Sequence, residues 1–571
     1  MTSLALPLAA LLACCVPALV AFNLPPSATF FNQAAALALW GLFAALLGAP
    51  RWRSGARAAS ALLAVLGLLA MSVLGSAAVA LPGSLAASAL GLLLAALVLA
   101  WSGAALAPAA RSAALQAFCL GWVVVGVLST AIALVQVFAP AWADGVLVAR
   151  SGFPGRAVGN LRQPNHLSSL LLWSLVALVP LHEAGRLRTQ TAVLLGALLV
   201  VGIELSGSRT GTVGLLVLAL WGVVDGRLAR SSRLLLLGAP LFYAAWALAL
   251  KTLQSGALGA ATRLGEADVS GSRFGIWRNT LALIEQQPWA GVGFGEFNFA
   301  WTLTPFPGRP VAFFDHTHNL VLQFAVELGL PLAALLLALL ALALWQAGRR
   351  SVSVAGAEGA ALRAGVVVLV LMALHSQLEY PLWYAYFLLP TAWIWGACLG
   401  AQAAAQPVPA TEAAHYPPLA LRLPGLLLTA GAVLALVDYS RVVSIFAPTP
   451  TAGPLVQRIE TGQRSWFFAH HADYAAATTA TEPIDALPDF ARATHFLLDT
   501  RLMQAWAEAL ADAGELDRAR HVAQRLREFH YPQSEPFFAP CADKAVMAGN
   551  VKPFQCEAPQ RALGWRDFVA P

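Results

Sequence analysis

Residues 84–106 read SLAASALGLLLAALVLAWSGAAL, a run without one charged side chain. A helix rises about 1.5 Å per residue, so a run of this length reaches across the roughly 30 Å hydrocarbon layer of a bilayer. The same ruler finds about thirteen such segments: 4–22, 30–48, 58–76, 84–106, 114–138, 166–182, 190–205, 210–225, 233–251, 318–346, 360–376, 382–402 and 420–438. Several are short or contain Gly and Pro. The first has no basic n-region and a poor small-residue cleavage site, so it reads as a helix rather than a secretory signal.

Composition agrees. The chain has 571 residues, 58% of them hydrophobic and only 11% charged, against about 25% charged in a soluble domain. A water-soluble globule is excluded. Residues 1–438 hold 22 Lys/Arg and 14 Asp/Glu, and 439–571 hold 13 and 15. The tail is therefore a small soluble domain behind a membrane domain. The net charge of +6 belongs to the membrane part, where it follows topology, and is no footprint of nucleic acid. The expected fold is all-α and polytopic, with about thirteen transmembrane helices. It divides into N-terminal helices (1–140), a membrane core (141–438) with a long periplasmic loop (252–317) carrying interfacial helices, and a helical periplasmic domain (439–571).

With the N-terminus inside, thirteen Lys/Arg of the membrane part fall in inner loops and nine in outer ones. The outer cations concentrate in the 139–165 loop, the Ser206–Gly211 turn and the 252–317 segment. Cations retained where topology would exclude them suggest a bound anion. For Lys251, Arg263 or Arg309 singly, translocation of a long loop is an equal explanation. An odd number of spans places the tail outside too. There Cys541 and Cys556 are the only cysteines, and an exported domain favours joining them without requiring it; Cys14, Cys15, Cys119 and Cys398 lie in apolar spans.

Four polar clusters share that outer side. They are Gly159-Asn160-Leu161-Arg162-Gln163-Pro164-Asn165-His166, Ser208-Arg209-Thr210, the long loop, and His375 through Tyr384. The long loop contributes Ser272 to Arg278, Pro288 to Gly295, and Asp315-His316-Thr317-His318-Asn319. Gln163, Arg209 and His318 each stand just before or at an entering helix, whose free N–H groups and dipole suit phosphate. Arginine adds bidentate donors, and His318 is placed to act as a base on a hydroxyl. Asp315, His316 and His318 are poorly spaced for a metal. Gly291–Gly295 lacks a P-loop lysine and reads better as a turn between interfacial helices. The aromatics Phe274, Trp277, Trp289, Phe294, Phe297, Phe299 and Trp301 suit anchoring at the membrane interface, and Glu327, inside a span, needs a partner or a cavity.

These motifs resemble the Wzy/WaaL/PglL (O-antigen ligase) superfamily of bacterial membrane glycosyl-group transferases, and within it the PglL-type protein O-oligosaccharyltransferases. The likeness rests on Gly159 to Asn165, Ser208-Arg209-Thr210-Gly211, Ser272 to Trp277, Pro288 to Gly295, His318-Asn319 with Gly329, and Glu379-Tyr380-Pro381-Leu382-Trp383-Tyr384. It covers roughly 150–400; Leu332 stands where the ligase branch often has a small residue or Tyr. The resemblance implies transfer of a preassembled oligosaccharide from undecaprenyl pyrophosphate to Ser or Thr hydroxyls of a periplasmic protein such as a pilin, at the inner membrane, without metal or other cofactor. It implies His318 as base and Arg209 and Arg273 on the pyrophosphate, with Gln163 and Tyr380 positioning donor or acceptor. Arg156, Arg162, Arg278, Asn165, Asn319 and His316 would complete the donor site. The runner-up acceptor is lipid A-core. A lipid-linked-sugar transporter or flippase is the alternative of another class, disfavoured because the polar residues crowd one interface instead of the midplane.

In the tail, 494–512 and 515–529 read as amphipathic helices split by Ala513-Gly514, a single helical hairpin and too little for a solenoid.

Overall fold

The computed structural model describes residues 4–47, 52–253, 269–311, 314–401, 418–549 and 552–569. Arg263, singled out above, lies outside them. The described residues are helical with no strand. Each apolar segment read from the sequence falls on a helix. Among the described residues, eight helices are long and apolar enough to cross a membrane: Ser60–Ala77, Gly83–Ala104, Pro108–Phe138, Pro164–Glu183, Arg230–Thr252, Leu320–Ser353, Gly356–His375 and Arg422–Phe446. Five more are apolar but shorter: Ala5–Leu19, Phe30–Leu46, Thr189–Leu205, Arg209–Val224 and Ala385–Leu399. At 15 to 17 residues they are roughly 22–26 Å long, less than a full hydrocarbon layer.

The chain forms two compact units that do not follow chain order. One is Met1–Leu66, Leu92–Ala267 and Ala338–Leu436; the other is Gly67–Gly91, Asp268–Leu337 and Val437–Pro571. In the first, Pro164–Glu183 is the central helix, with almost every side chain after Asn165 buried. A helix apolar on all faces has no side for water. Around it Trp173 meets Trp122 at 4.7 Å between ring centroids, and Trp393 meets Phe118 at 5.2 Å and Phe43 at 5.3 Å. Gly83–Ala104 and Ala385–Leu399 cross backbone to backbone: a Cβ on Gly396 would sit 1.9 Å from the Ala100 carbonyl oxygen, the small-residue contact typical of helices packed in lipid.

In the second unit the centre is the short helix Phe297–Leu303, every residue of which is buried. Phe297, Phe299 and Trp301 are therefore core residues, which corrects the interfacial reading for them. Trp301 packs on Phe529 at 5.6 Å and Phe299 lies flat against His495 at 4.2 Å. Phe274 and Trp289, by contrast, are exposed. The tail hairpin is Thr500–Asp512 and Leu516–Glu528. Its first helix starts later than 494, because Asp499 caps it by accepting from the Leu502 N–H at 2.9 Å. Cys541 and Cys556 are joined in a disulfide.

Arg309 explains itself here. It is buried, donates to Glu528 at 3.0 Å and to the carbonyls of Trp301 and Thr302 at 2.8 and 3.3 Å, and also donates to the Thr304 carbonyl. Its guanidinium lies over the rings of Trp301, Phe306 and Phe529. Burial pulls its pKa down to about 10, with Glu528 opposing. This cation ties the loop to the tail within the second unit.

Candidate active site

In the first unit the cluster from Gly159 to His166 is built by short side chains that clamp a loop. Gln136 accepts from the Val158 and Gly159 N–H groups at 2.9 and 2.8 Å and donates to the Ala149 carbonyl at 2.7 Å. Asn160 donates to the Leu19 and Leu147 carbonyls at 2.7 and 2.9 Å and accepts from the Ala149 N–H. The chain then turns through Arg162, whose φ is 61°, into Gln163 and Pro164 at the start of the central helix. Non-glycine residues rarely adopt this left-handed conformation, and it clusters at functional sites.

Gln163 is the N-cap residue, yet its side chain makes no capping bond. Its Oε1 is buried and has no hydrogen-bond partner among the described residues. A buried acceptor left open in this way is uncommon and needs a reason; a donor from a bound molecule is one. Asn165 is different, because both ends of its amide are used inside the protein. Its Nδ2 donates to Glu379 at 2.9 Å and its Oδ1 accepts from Ser208 Oγ at 2.7 Å.

Ser208 Oγ also receives Ser168 Oγ at 2.9 Å and the Gly211 N–H at 3.1 Å, capping Arg209–Val224. Arg209 is the first residue of that helix. It is exposed and makes no hydrogen bond or ion pair among the described residues, so its charge adds to the positive helix end. Arg156 is nearly fully buried, with Nε on the Ser206 carbonyl at 3.2 Å and the guanidinium 5.2 Å from the Phe153 ring. Arg162 donates to the Ala21 carbonyl at 2.6 Å. Both of these arginines brace the loop.

Tyr380 follows Glu379 at the end of Gly356–His375 and stacks on Tyr384 at 6.0 Å. Behind it, buried inside the unit, His166 Nδ1 meets Tyr386 Oη at 2.9 Å and His375 Nδ1 meets Ser169 Oγ at 2.8 Å. The sequence flagged His166, His375 and Glu379 only as neighbours. The fold makes Glu379 the carboxylate that holds Asn165, and through it the Ser208 cap beside Arg209.

Arg273, Arg278, His316, His318 and Asn319 belong to the second unit. Arg273 and Arg278 lie on Val269–Gln286, where Arg278 is exposed and makes no hydrogen bond or ion pair among the described residues. Trp277 Nε1 donates to the Thr317 carbonyl at 3.0 Å, fixing this helix to the histidine turn. Thr317 N–H donates to Gln323 Oε1 at 2.8 Å, and Asn319 Oδ1 caps the following helix by accepting from Leu322 at 3.0 Å. His318, between them, has φ 54°. Its ring is 4.7 Å from that of His316 and 5.5 Å from that of Phe314. His316 Nδ1 lies 2.5 Å from Asp315 Oδ1.

The glycine run 291–295 serves the same unit. Gly329 breaks Leu320–Ser353, with φ 76° and ψ 161°. The freed carbonyls of Val326 and Glu327 accept from Val292 and Gly293 at 2.8 and 2.9 Å, and the Leu330 N–H donates to the Pro288 carbonyl at 2.7 Å. A Cβ on Gly291 would stand 2.4 Å from the Glu327 carbonyl, and one on Gly329 would stand 2.2 Å from the Trp289 carbonyl oxygen. The motif is thus a turn stitched to a broken helix. The carboxylate of Glu327 is faced by the Gly295 and Phe297 amides and the Gln323 side chain, the partners its burial required. Among the described residues, no three His, Cys, Asp or Glu side chains form a group able to hold a metal ion.

Comparison with known proteins yields three family matches. Residues 157–182 match the family described as protein glycosylation ligase, 194–337 the O-antigen ligase family, and 364–544 the C-terminal part of a virulence factor membrane-bound polymerase. The chain is similar to a general O-oligosaccharyltransferase of Acinetobacter baylyi (strain ATCC 33305 / BD413 / ADP1), 28% identical over 253 residues, covering 42% of this chain and 43% of that protein. A ComP-specific O-oligosaccharyltransferase of the same strain is 26% identical over 259 residues, covering 43% and 44%. The matched region spans less than half the length of either relative.

Proposed function

Because the chain is a PglL-type member of the O-antigen ligase superfamily, we propose that it transfers a preassembled oligosaccharide from undecaprenyl pyrophosphate to a Ser or Thr hydroxyl of a periplasmic protein, such as a pilin. In this reading it is an enzyme of the bacterial inner membrane that works on the periplasmic side. The acceptor oxygen attacks the anomeric carbon, the bond from that carbon to the pyrophosphate oxygen breaks, and undecaprenyl pyrophosphate leaves. His318 takes the hydroxyl proton. Arg209, Arg273 and Arg278 bind the pyrophosphate and stabilise the charge it gains, so the step is proposed to run without a metal. Gln163 and Tyr380 hold donor or acceptor by hydrogen bonds, and Asn319 and His316 shape the histidine turn.

The observation that carries this reading is the backbone at His318. A left-handed histidine costs about 1–2 kcal/mol, and it is held there by Thr317, Asn319 and Trp277. The open Oε1 of Gln163 supports it. The O-antigen ligase match over 194–337 supports a second reading, in which lipid A-core is the acceptor. The test is coexpression with a lipid-linked glycan pathway and a candidate pilin in a host lacking its own ligase. A mass shift on the pilin is expected. Modified lipopolysaccharide with unmodified pilin would select the second reading, and no transfer to either would refute both.

A further inference from the structure

A cavity of about 480 Å³ lies within the second unit, and none of the residues assigned above to donor, base or pyrophosphate lines it. Its polar lining centres on Glu296 and His495, far apart in sequence and joined by a 2.6 Å hydrogen bond between Glu296 Oε2 and His495 Nδ1. Glu296 is only 5% exposed, and its other oxygen, Oε1, is buried with no partner among the described residues. The His495 ring lies flat on Phe299, and its Nε2 makes no hydrogen bond among the described residues. A histidine ring nitrogen of this kind can accept or donate. A carboxylate oxygen and a ring nitrogen without protein partners thus belong to two residues lining one cavity, and hydroxyls, which both donate and accept, suit the pair.

The chemistry of that ligand follows from the rest of the wall. Glu296, Glu327 and Arg566 all line the cavity, so its wall carries groups of both signs and is not a dedicated anion site. Phe294 and Trp565 add apolar faces, and the volume falls in the range of small-molecule sites, about 300–1,000 Å³. Hydroxyl donors on a partly apolar ring describe a sugar. We propose that this cavity is a saccharide subsite for a neutral sugar of the transferred glycan, with Glu296 Oε1 receiving one of its hydroxyls and His495 Nε2 hydrogen-bonded to another. The proposal rests on the transferase reading and assigns to this cavity the selection of glycan, apart from the chemistry of transfer.

The test uses the full-length protein with two lipid-pyrophosphate donors, one bearing a single sugar and one bearing the complete neutral oligosaccharide, and compares their rates of transfer to one acceptor. Glu296→Gln keeps the shape of the side chain, and Trp565→Ala alters the half-buried wall. Each is expected to lower the ratio of oligosaccharide to single-sugar transfer about tenfold, through a weakened hydrogen bond to a charged group in the first variant and a lost apolar face in the second. An unchanged ratio in both variants overturns the proposal, as does an equal loss with both donors, which marks a structural role. A loss that follows the acceptor sequence instead of glycan length overturns it in favour of a peptide-binding cavity. Absence of transfer by the unmodified protein from either donor would refute the transferase reading instead.

Discussion

Replacing Gly329 with alanine tests the broken helix directly. Its φ of 76° and ψ of 161° lie in territory that only glycine occupies readily, so a side chain there costs about 1–3 kcal/mol in backbone strain. The new Cβ would also stand 2.2 Å from the Trp289 carbonyl oxygen, which is backbone and cannot rotate away. Relief requires the 288–293 segment to move and give up its three bonds to Val326, Glu327 and Leu330, each about 1 kcal/mol. Together these terms put the loss on the order of 4–6 kcal/mol, or roughly 10 °C or more in apparent Tm for a unit of this size. Gly67→Ala is the control: Gly67 is in Ser60–Ala77 with open space around its Cβ position, and alanine there is neutral or stabilising by up to about 1 kcal/mol. Thermal unfolding of the two variants in detergent, followed by size-exclusion, gives the comparison. Equal melting temperatures would show that residues 326–330 form an ordinary helix and that the glycine turn is not stitched to it.

Other consequences follow from single side chains. Gln163→Ala removes an acceptor that is already unpartnered inside the protein, so stability should change by less than about 1 kcal/mol while glycan transfer falls at least about a hundredfold; a large drop in Tm would show that Oε1 is satisfied by the fold. His318→Ala and His318→Gly should both be inactive, with the glycine variant the more stable by about 1 kcal/mol because it relieves the left-handed strain; retained transfer removes His318 from the chemistry. Arg309→Ala should destabilise the second unit by about 3–5 kcal/mol, since three carbonyls lose their donor and Glu528 keeps only Arg525, and a melting temperature within a degree of the parent would refute that role. His521 donates through Nε2 to the Leu303 carbonyl at 2.7 Å, and burial lowers its pKa to about 4. The unfolded chain then binds a proton that the folded one refuses, so stability falls as pH drops from about 6.5 toward 4, by roughly 3 kcal/mol in all. His521→Gln should flatten that slope, and an unchanged pH profile of Tm would exclude the histidine.

The helices were legible in the amino-acid sequence because length and apolarity are local properties: every apolar segment from 4–22 to 420–438 lies on a helix, and Asn319, Ser208 and Pro164 mark helix starts as their types suggest. The family, too, could be read from short motifs, since Gly291 and Gly329 are required by backbone approaches that nothing but glycine permits. Hydropathy could not tell lipid from protein interior, because an apolar side chain leaves water equally well for either. Phe297, Phe299 and Trp301 therefore looked like membrane anchors and are the core of the second unit. Nor could any local pattern pair Arg309 with Glu528 or Glu296 with His495, partners about two hundred residues apart. Such polar groups are stable in a buried place only when the chain returns to them, and that return is decided by the packing of the whole unit.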